Sequence, residues 1–266
     1  MKNIIHGALI LLMLLLVSCN KFDTHPYIKK IDGKKDINHV NINKIQANYS
    51  ENDTVSFAVI SDSHVQYDNL VDLVNVINNA NFDFVIHCGD QTDYGLVDEF
   101  LDTREIMCKL KVPYIMLLGN HDCLGTGRKT YAEIYGATDF SFTAGTTKFV
   151  CLNTNCLEYH NSNNIPDFDF IENEILTNSS TTVVVAMHVE PWDVGFNHNK
   201  IDEFESKIIR FGDSVICIYG HLHDFPTVID YFDDGVKWYH CPKLADRYYL
   251  SFKIYKNIIE YEAVKF

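Results

Sequence analysis

Apolar residues fall along this chain in short unbroken runs of strand length, separated by stretches in which they recur every three or four positions. Val55-Ser56-Phe57-Ala58-Val59-Ile60 is the first such run, and its near-continuity predicts a strand covered on both faces of its sheet. Leu70, Leu73, Val74 and Ile77 follow at helical spacing. The alternation repeats with a strand over 84–88, a helix over 96–110 carried by Leu96, Phe100, Thr103, Met107 and Leu110, and a strand over 114–118 after Pro113. Strand and helix taken in turn predict a layered α/β fold.

The second half reads differently. Two strands, 140–142 and 149–152, are expected around Ala144-Gly145, then a helix over 168–176, a strand over 183–186, a helix over 201–211 and a strand over 215–219. The end is β-rich: 228–232 and 236–240 flank the turn signal Asp233-Asp234-Gly235, and 248–255 and 258–264 flank Lys256-Asn257. No internal repeat or second domain is visible.

The first fifty residues stand apart. Residues 1–18 read as a secretory signal: a weakly basic start (Lys2, His6) and an apolar run from Ala8 to Val17, about half the roughly 20 residues a membrane-spanning helix needs. Leu16-Val17-Ser18-Cys19 looks like the lipobox of a bacterial lipoprotein, which implies cleavage before Cys19, a lipid on that residue and a place in the bacterial cell envelope. Residues 19–53, rich in Asn and Lys, read as a polar tether or N-terminal arm with one short element near 37–45, and the folded domain as 54–266. Seven cysteines follow Cys19, so they cannot all pair internally; Cys151 and Cys156 could meet across a short loop. No Cys-x-x-Cys occurs, which removes thioredoxin-type chemistry. A net charge of −14 without a basic stripe argues against nucleic-acid polymers as partners.

Polar residues change the picture where they fall. Successive predicted strands exit into Ser61-Asp62-Ser63-His64, Gly89-Asp90-Gln91-Thr92-Asp93, Gly119-Asn120-His121-Asp122, Met187-His188 and Gly220-His221-Leu222-His223. Ligands of open α/β sheets bind beyond the carboxyl ends of strands. Imidazole and carboxylate together form a mixed N/O donor set suited to zinc, iron or manganese, and Asp90 is the natural carboxylate to bridge two ions. Asp62 and His64, like His221 and His223, would share a side if their stretches stay extended.

Asp62-x-His64, Gly89-Asp90-x-x-Asp93, Gly119-Asn120-His121-Asp122, His188 and Gly220-His221-x-His223 together resemble the calcineurin-like metallophosphoesterase superfamily, over roughly residues 55–225. The resemblance implies an α/β fold built as a four-layer sandwich, two mixed β-sheets flanked by helices. It also implies two divalent or trivalent ions (Mn, Fe or Zn), the first held by Asp62, His64, Asp90 and His223, the second by Asp90, Asn120, His188 and His221. His121 would face the substrate and protonate the leaving oxygen, with Asp93 as the carboxylate that orients it. A metal-bridging hydroxide would attack phosphorus. The implied substrate is a small phosphodiester or phosphomonoester. Asp93 occupies the place where purple acid phosphatases carry a tyrosine, which argues against an iron–tyrosinate centre.

Other residues carry weaker signals. The family often has His-His or Gly-His where this chain has Met187-His188, so Glu190 is a candidate substitute ligand. Asp122 reads as a structural support, and His160, His198 and His240 as surface residues, with His198 in reach of substrate as a minor alternative. Tyr94, Tyr159, Trp192 and Phe196 are candidate stacking rings, and Arg128 and Lys129 candidate phosphate contacts. The glycines at 125 and 127 lack the spacing of a Walker loop, and no Gly-x-Ser-x-Gly elbow is present. The resemblance leaves two other functions open: a noncatalytic surface-binding lipoprotein on this scaffold, and an exported protein phosphatase.

Overall fold

The unbroken apolar runs become strands of two sheets in the structure, a computed structural model that describes residues 27, 29–49 and 54–266. The first sheet contains β1 (Val55–Ile60), β2 (Phe84–His87), β3 (Tyr114–Met116), β10 (Tyr248–Tyr255) and β11 (Ile258–Lys265). Its order is β11-β10-β1-β2-β3, parallel from β1 to β3 and antiparallel at β10 and β11. The second contains β4 (Phe140–Ala144), β5 (Thr147–Cys151), β6 (Thr182–Ala186), β7 (Val215–Tyr219), β8 (Thr227–Ile229) and β9 (Lys237–His240). Here the order is β4-β5-β6-β7-β9-β8, with β5, β6, β7 and β9 parallel.

Alternation along each strand sorts its side chains between two cores. Phe57 and Val59 of β1 meet Phe84, Phe149 and Phe252 between the sheets. Ala58 and Ile60 face outward onto Leu70 and Leu73 of α2 (Tyr67–Asn78) and Phe100 of α3 (Val97–Met107). Tyr131 and Ile134 of α4 (Gly127–Ile134) complete that outer layer. On the far side, Val183, Val185 and Cys217 pack against Ile171 of α5 (Phe168–Leu176) and Phe204 and Ile208 of α6 (Ile201–Ile208). The result is the expected α/β sandwich of helix, sheet, sheet and helix.

The edge of the first sheet is finished by polar groups. The helix α1 (Ile37–Ala47) lies beside β3: the Asn38 amide donates to the Met116 carbonyl (2.8 Å) and accepts from the Met116 N–H (2.9 Å). Asn41 donates to the Tyr114 carbonyl at 2.8 Å. These amides satisfy a strand edge that would otherwise be open to pairing, so the element foreseen near 37–45 is docked against the sheet. The β8–β9 hairpin is shorter than its apolar pattern suggested. Asp230 leaves the strand because its carboxylate accepts from the N–H groups of Asp234 (3.1 Å) and Gly235 (3.2 Å), which closes a wider loop. The seven cysteines among the described residues are all free thiols, Cys151 and Cys156 included. Among the described residues no helix is long and apolar enough to cross a membrane. The signal and lipid anchor expected over residues 1–19 lie outside the described residues.

Candidate metal centre

The exits of β1, β2, β3, β6 and β7 meet at one rim of the sandwich, and each supplies polar side chains to it. Asp62 N–H donates to the Gly89 carbonyl (3.0 Å) and His64 N–H to the Asp90 carbonyl (2.9 Å), which ties the first loop to the second. His221 N–H donates to Asp62 Oδ2 (3.0 Å), which ties in the last. Two glycines allow this closeness. A Cβ at position 119 would sit 2.1 Å from the Asp90 nitrogen, and one at position 220 would sit 2.0 Å from Ser61 Oγ.

The backbone here is not extended, contrary to the reading that paired Asp62 with His64 and His221 with His223 by side-chain alternation. Asp62, His64, Asp90, His221 and His223 all have positive φ, from 45° to 72°. Left-handed conformation costs a non-glycine residue free energy, and Asp and His tolerate it better than most. Even so, Asp62 and His64 reach one cluster, whereas His221 and His223 are turned to different places. His64 Nε2 and His223 Nε2 lie 3.2 Å apart, and His223 Nε2 is 3.1 Å from Asp62 Oδ1. His221 instead points its Nδ1 at Asn120 Oδ1, 3.1 Å away, where His188 Nε2 also arrives at 2.9 Å.

Two ligand clusters result, Asp62–His64–Asp90–His223 and Asp90–His188–His221, each with ligand atoms within 4.8 Å of one another. Asp90 belongs to both, and the Asn120 amide oxygen adds a neutral donor to the second. The N/O composition and the shared carboxylate fit a binuclear divalent metal site. All seven sequence-predicted ligands are thus brought together, and Glu190 is not among them. Electrostatics agree with a place for cations. Burial alone would push the Asp62 carboxyl up, but the His223 hydrogen bond and the His188 charge hold it below the usual range. Burial opposes charge on His188 as well, yet the Asp90 carboxylate raises its pKa to about 10.

Surrounding groups fix the ligands. His188 Nδ1–H donates to the Cys88 carbonyl at 2.7 Å, which leaves Nε2 for the centre. Asp122 is fully buried and accepts from Thr92 N–H (3.0 Å), Thr92 Oγ1 (2.9 Å), Gln91 N–H (3.1 Å) and Gly119 N–H (3.0 Å), binding two loops together. Burial, with the nearby Asp90 charge, raises its pKa to about 7 against those hydrogen bonds. His121 N–H donates to Asp90 Oδ1 at 2.9 Å, and its ring Nδ1–H donates to a carbonyl, that of Asp93, at 2.8 Å. The sequence reading gave that orienting role to the Asp93 carboxylate; here the carboxylate lies 3.0 Å from His64 Nδ1 instead.

Several residues were missed or misplaced. Thr154 and Asn155, after β5, support the rim: Thr154 Oγ1 accepts from Val189 N–H (3.0 Å) and Asn155 donates to the Leu118 carbonyl (2.8 Å). Lys243 lines a cavity of about 310 Å³ with Asp62, His64, Gln66, Asp93 and His223. Both follow strands, the same signal that exposed the ligands. His240 is buried rather than on the surface, its Nδ1–H donating to the Phe225 carbonyl at 3.0 Å. Trp192 and Phe196 are packing residues: Trp192 stacks on Tyr231 at 3.9 Å between centroids and Phe196 is in the core. Tyr159 holds the Arg128 guanidinium over its ring at 4.7 Å, whereas Tyr94 stays exposed.

Fold and rim together define a binuclear metallohydrolase sandwich. The sequence profile of the calcineurin-like phosphoesterases matches residues 55–225, and the chain belongs to that family. A protein of Methanocaldococcus jannaschii named "Probable metallophosphoesterase" is 34% identical over 83 residues, which is 30% of this chain and 38% of that relative's length. Among solved structures, a purple acid phosphatase from yellow lupin (Lupinus luteus) seeds has a TM-score of 0.61 at 12% identity, over 82% of this chain and 52% of its own. A dimetal phosphatase from Danio rerio has a TM-score of 0.58 at 12% identity, over 79% and 98%. At such identities these two structures share the fold.

Proposed function

We propose that the chain hydrolyses a small phosphodiester or phosphomonoester with two bound metal ions. The observation that carries this reading is the membership of Asp90 in both ligand clusters, beside a cavity of about 310 Å³. Asp62, His64, Asp90 and His223 would hold one ion, and Asp90, Asn120, His188 and His221 the other. Bound there, the ions supply a water of lowered pKa as nucleophile and offset charge on the nonbridging phosphate oxygens. His121 hands a proton to the leaving oxygen: with Nδ1–H engaged by the Asp93 carbonyl, Nε2 is the ring atom left to do so. Lys243 offers its ammonium to the phosphate from the cavity wall.

Protein reconstituted separately with manganese, iron and zinc tests this against aryl phosphodiester and monoester, cyclic nucleotides, nucleotides, phosphosugars and phospholipid head groups. The expected result is turnover of one class that requires two ions per chain. Two bound ions with no turnover on any of them would favour the noncatalytic reading.

The lipobox-like Leu16-Val17-Ser18-Cys19 supports a second part of the proposal, export and anchoring at the bacterial cell envelope through lipid on Cys19. Incorporation of labelled fatty acid, lost in Cys19→Ser, is the expected result; equal labelling of wild type and variant contradicts it.

A further inference from the structure

His221 differs from the other histidines of the centre in the nitrogen it presents. His64, His188 and His223 bring Nε2 to the cluster, whereas His221 brings Nδ1, at 3.1 Å from Asn120 Oδ1. A neutral imidazole that offers the Nδ1 lone pair must carry its proton on Nε2, and the partner of Nε2 decides whether it stays there. That partner is Asp193, whose Oδ1 lies 3.2 Å from His221 Nε2.

Asp193 is itself held in place. Its Oδ1 accepts from Gly195 N–H at 2.6 Å, its own N–H donates to the Glu190 carbonyl (3.2 Å), and its carbonyl accepts from Phe196 N–H (3.1 Å). Phe196 is in turn buried in the outer core of the second sheet, so the turn from 190 to 196 is anchored to the scaffold. The side chains of His221 and Asp193 are each only 22% exposed, which limits competition from water for the contact.

We propose that Asp193 is a positioning residue for the second metal ion: it accepts the Nε2–H of His221 and so fixes Nδ1 as the ligand atom. The inference rests on the binuclear reading above. It also gives the His188-to-Asp193 loop a double task, with a ligand at its start and the orienter of another loop's ligand at its end.

Calorimetric titration of the chelated full-length protein with zinc, resolved into two binding steps, tests it beside nitrogen NMR of the His221 ring. Asp193→Ala should weaken the second step by roughly 10–100-fold, leave the first unchanged and lose the single Nε2-protonated form. Asp193→Asn, whose amide oxygen can still accept from both Gly195 and His221, should keep that tautomer and most of the affinity. An unchanged second step in Asp193→Ala, or equal weakening of both steps in the two variants, overturns the proposal. Wild-type protein that takes up fewer than two ions would instead refute the binuclear reading on which it rests.

Discussion

The layer between the two sheets and the polar layer at their rim are equally hidden from water but opposite in energetics. Phe57, Phe84, Phe149 and Phe252 are fully buried in the first, and Asp62, Asp90, Asp122 and His188 are at most 1% exposed in the second. Burying a phenylalanine stabilises the fold by about 1.5–3 kcal/mol. Burying a carboxylate costs free energy unless it is paired, and the left-handed residues around it add strain on the order of 1–3 kcal/mol each. The core tolerates a change of residue within its volume; the rim depends on which atom stands where.

The sharpest break of that contrast is Asp90→Asn. The substitution keeps the shape but removes the carboxylate common to both clusters. Both ions should be lost and turnover should fall by more than the roughly 10–100-fold that removal of a supporting partner costs. Circular dichroism should be unchanged, because no core contact is touched. Full metal content in the folded variant, by elemental analysis, would mean the shared carboxylate is not what holds the pair.

Phe149→Ala makes the reciprocal change. Its ring stacks on Phe142 at 4.8 Å and meets Phe57 and Phe84 edge-on at 5.1 and 5.3 Å. Denaturant unfolding should show a loss of about 3–5 kcal/mol, while the metal stoichiometry of the remaining folded protein stays at the wild-type value. A stability loss under 1 kcal/mol, on the order of one methylene, would show that the inter-sheet layer had collapsed around the missing ring.

This contrast also explains what the sequence made legible. Strands covered on both faces must be apolar throughout, so β1, β2, β6 and β7 stand out as runs, and the ligands stand out as the polar residues that end them. Backbone handedness leaves no such trace. Nothing in Asp62-Ser63-His64 or His221-Leu222-His223 announces left-handed residues, so alternation did not foresee that His221 and His223 part between two clusters, although Asp62 and His64 still share one. Asp93 was recognised as a supporting residue, but carbonyl and carboxylate of one residue can serve two different histidines. Asn38 and Asn41 fall in the stretch that read as a polar tether or arm, because their partners, the main-chain groups of an edge strand, have no sequence signature. His240 misled for a related reason: its burial depends on a carbonyl fifteen positions away.

His87 sits where the two layers meet, the last residue of β2, fully buried with Nε2 at 2.8 Å from Ser63 Oγ. Burial pushes its pKa down to about 4, against the pull of Asp62. Between pH about 6.5 and about 4 the unfolded chain therefore binds a proton that the folded chain refuses. The stability this group contributes is present above that window and is lost as pH falls through it, by about 3 kcal/mol in all. Chelated wild type and His87→Gln, melted from pH 7 to 4, should diverge, with the variant showing the flatter profile. Parallel profiles would mean that the ring is protonated in the folded state.

Lys243 gives the smallest and most local effect. It lies on the cavity wall, half-buried, and is absent from the ion pairs formed among the described residues. Its charge also acts on His223, so it sits within electrostatic range of the first ligand cluster. A half-exposed ammonium meeting a phosphate is worth little beside a buried ligand, because water screens the contact. Lys243→Met should therefore raise KM by about 10-fold, equivalent to ~1.4 kcal/mol, with kcat and metal content nearly unchanged. Lys243→Arg should recover much of the affinity, since both side chains attract phosphate although with different geometry. A dianionic monoester should lose more than a monoanionic diester. If kcat falls instead while KM holds, the ammonium acts on the transition state rather than on the bound ester, and the rim's demand for exact atomic placement extends to its outer wall.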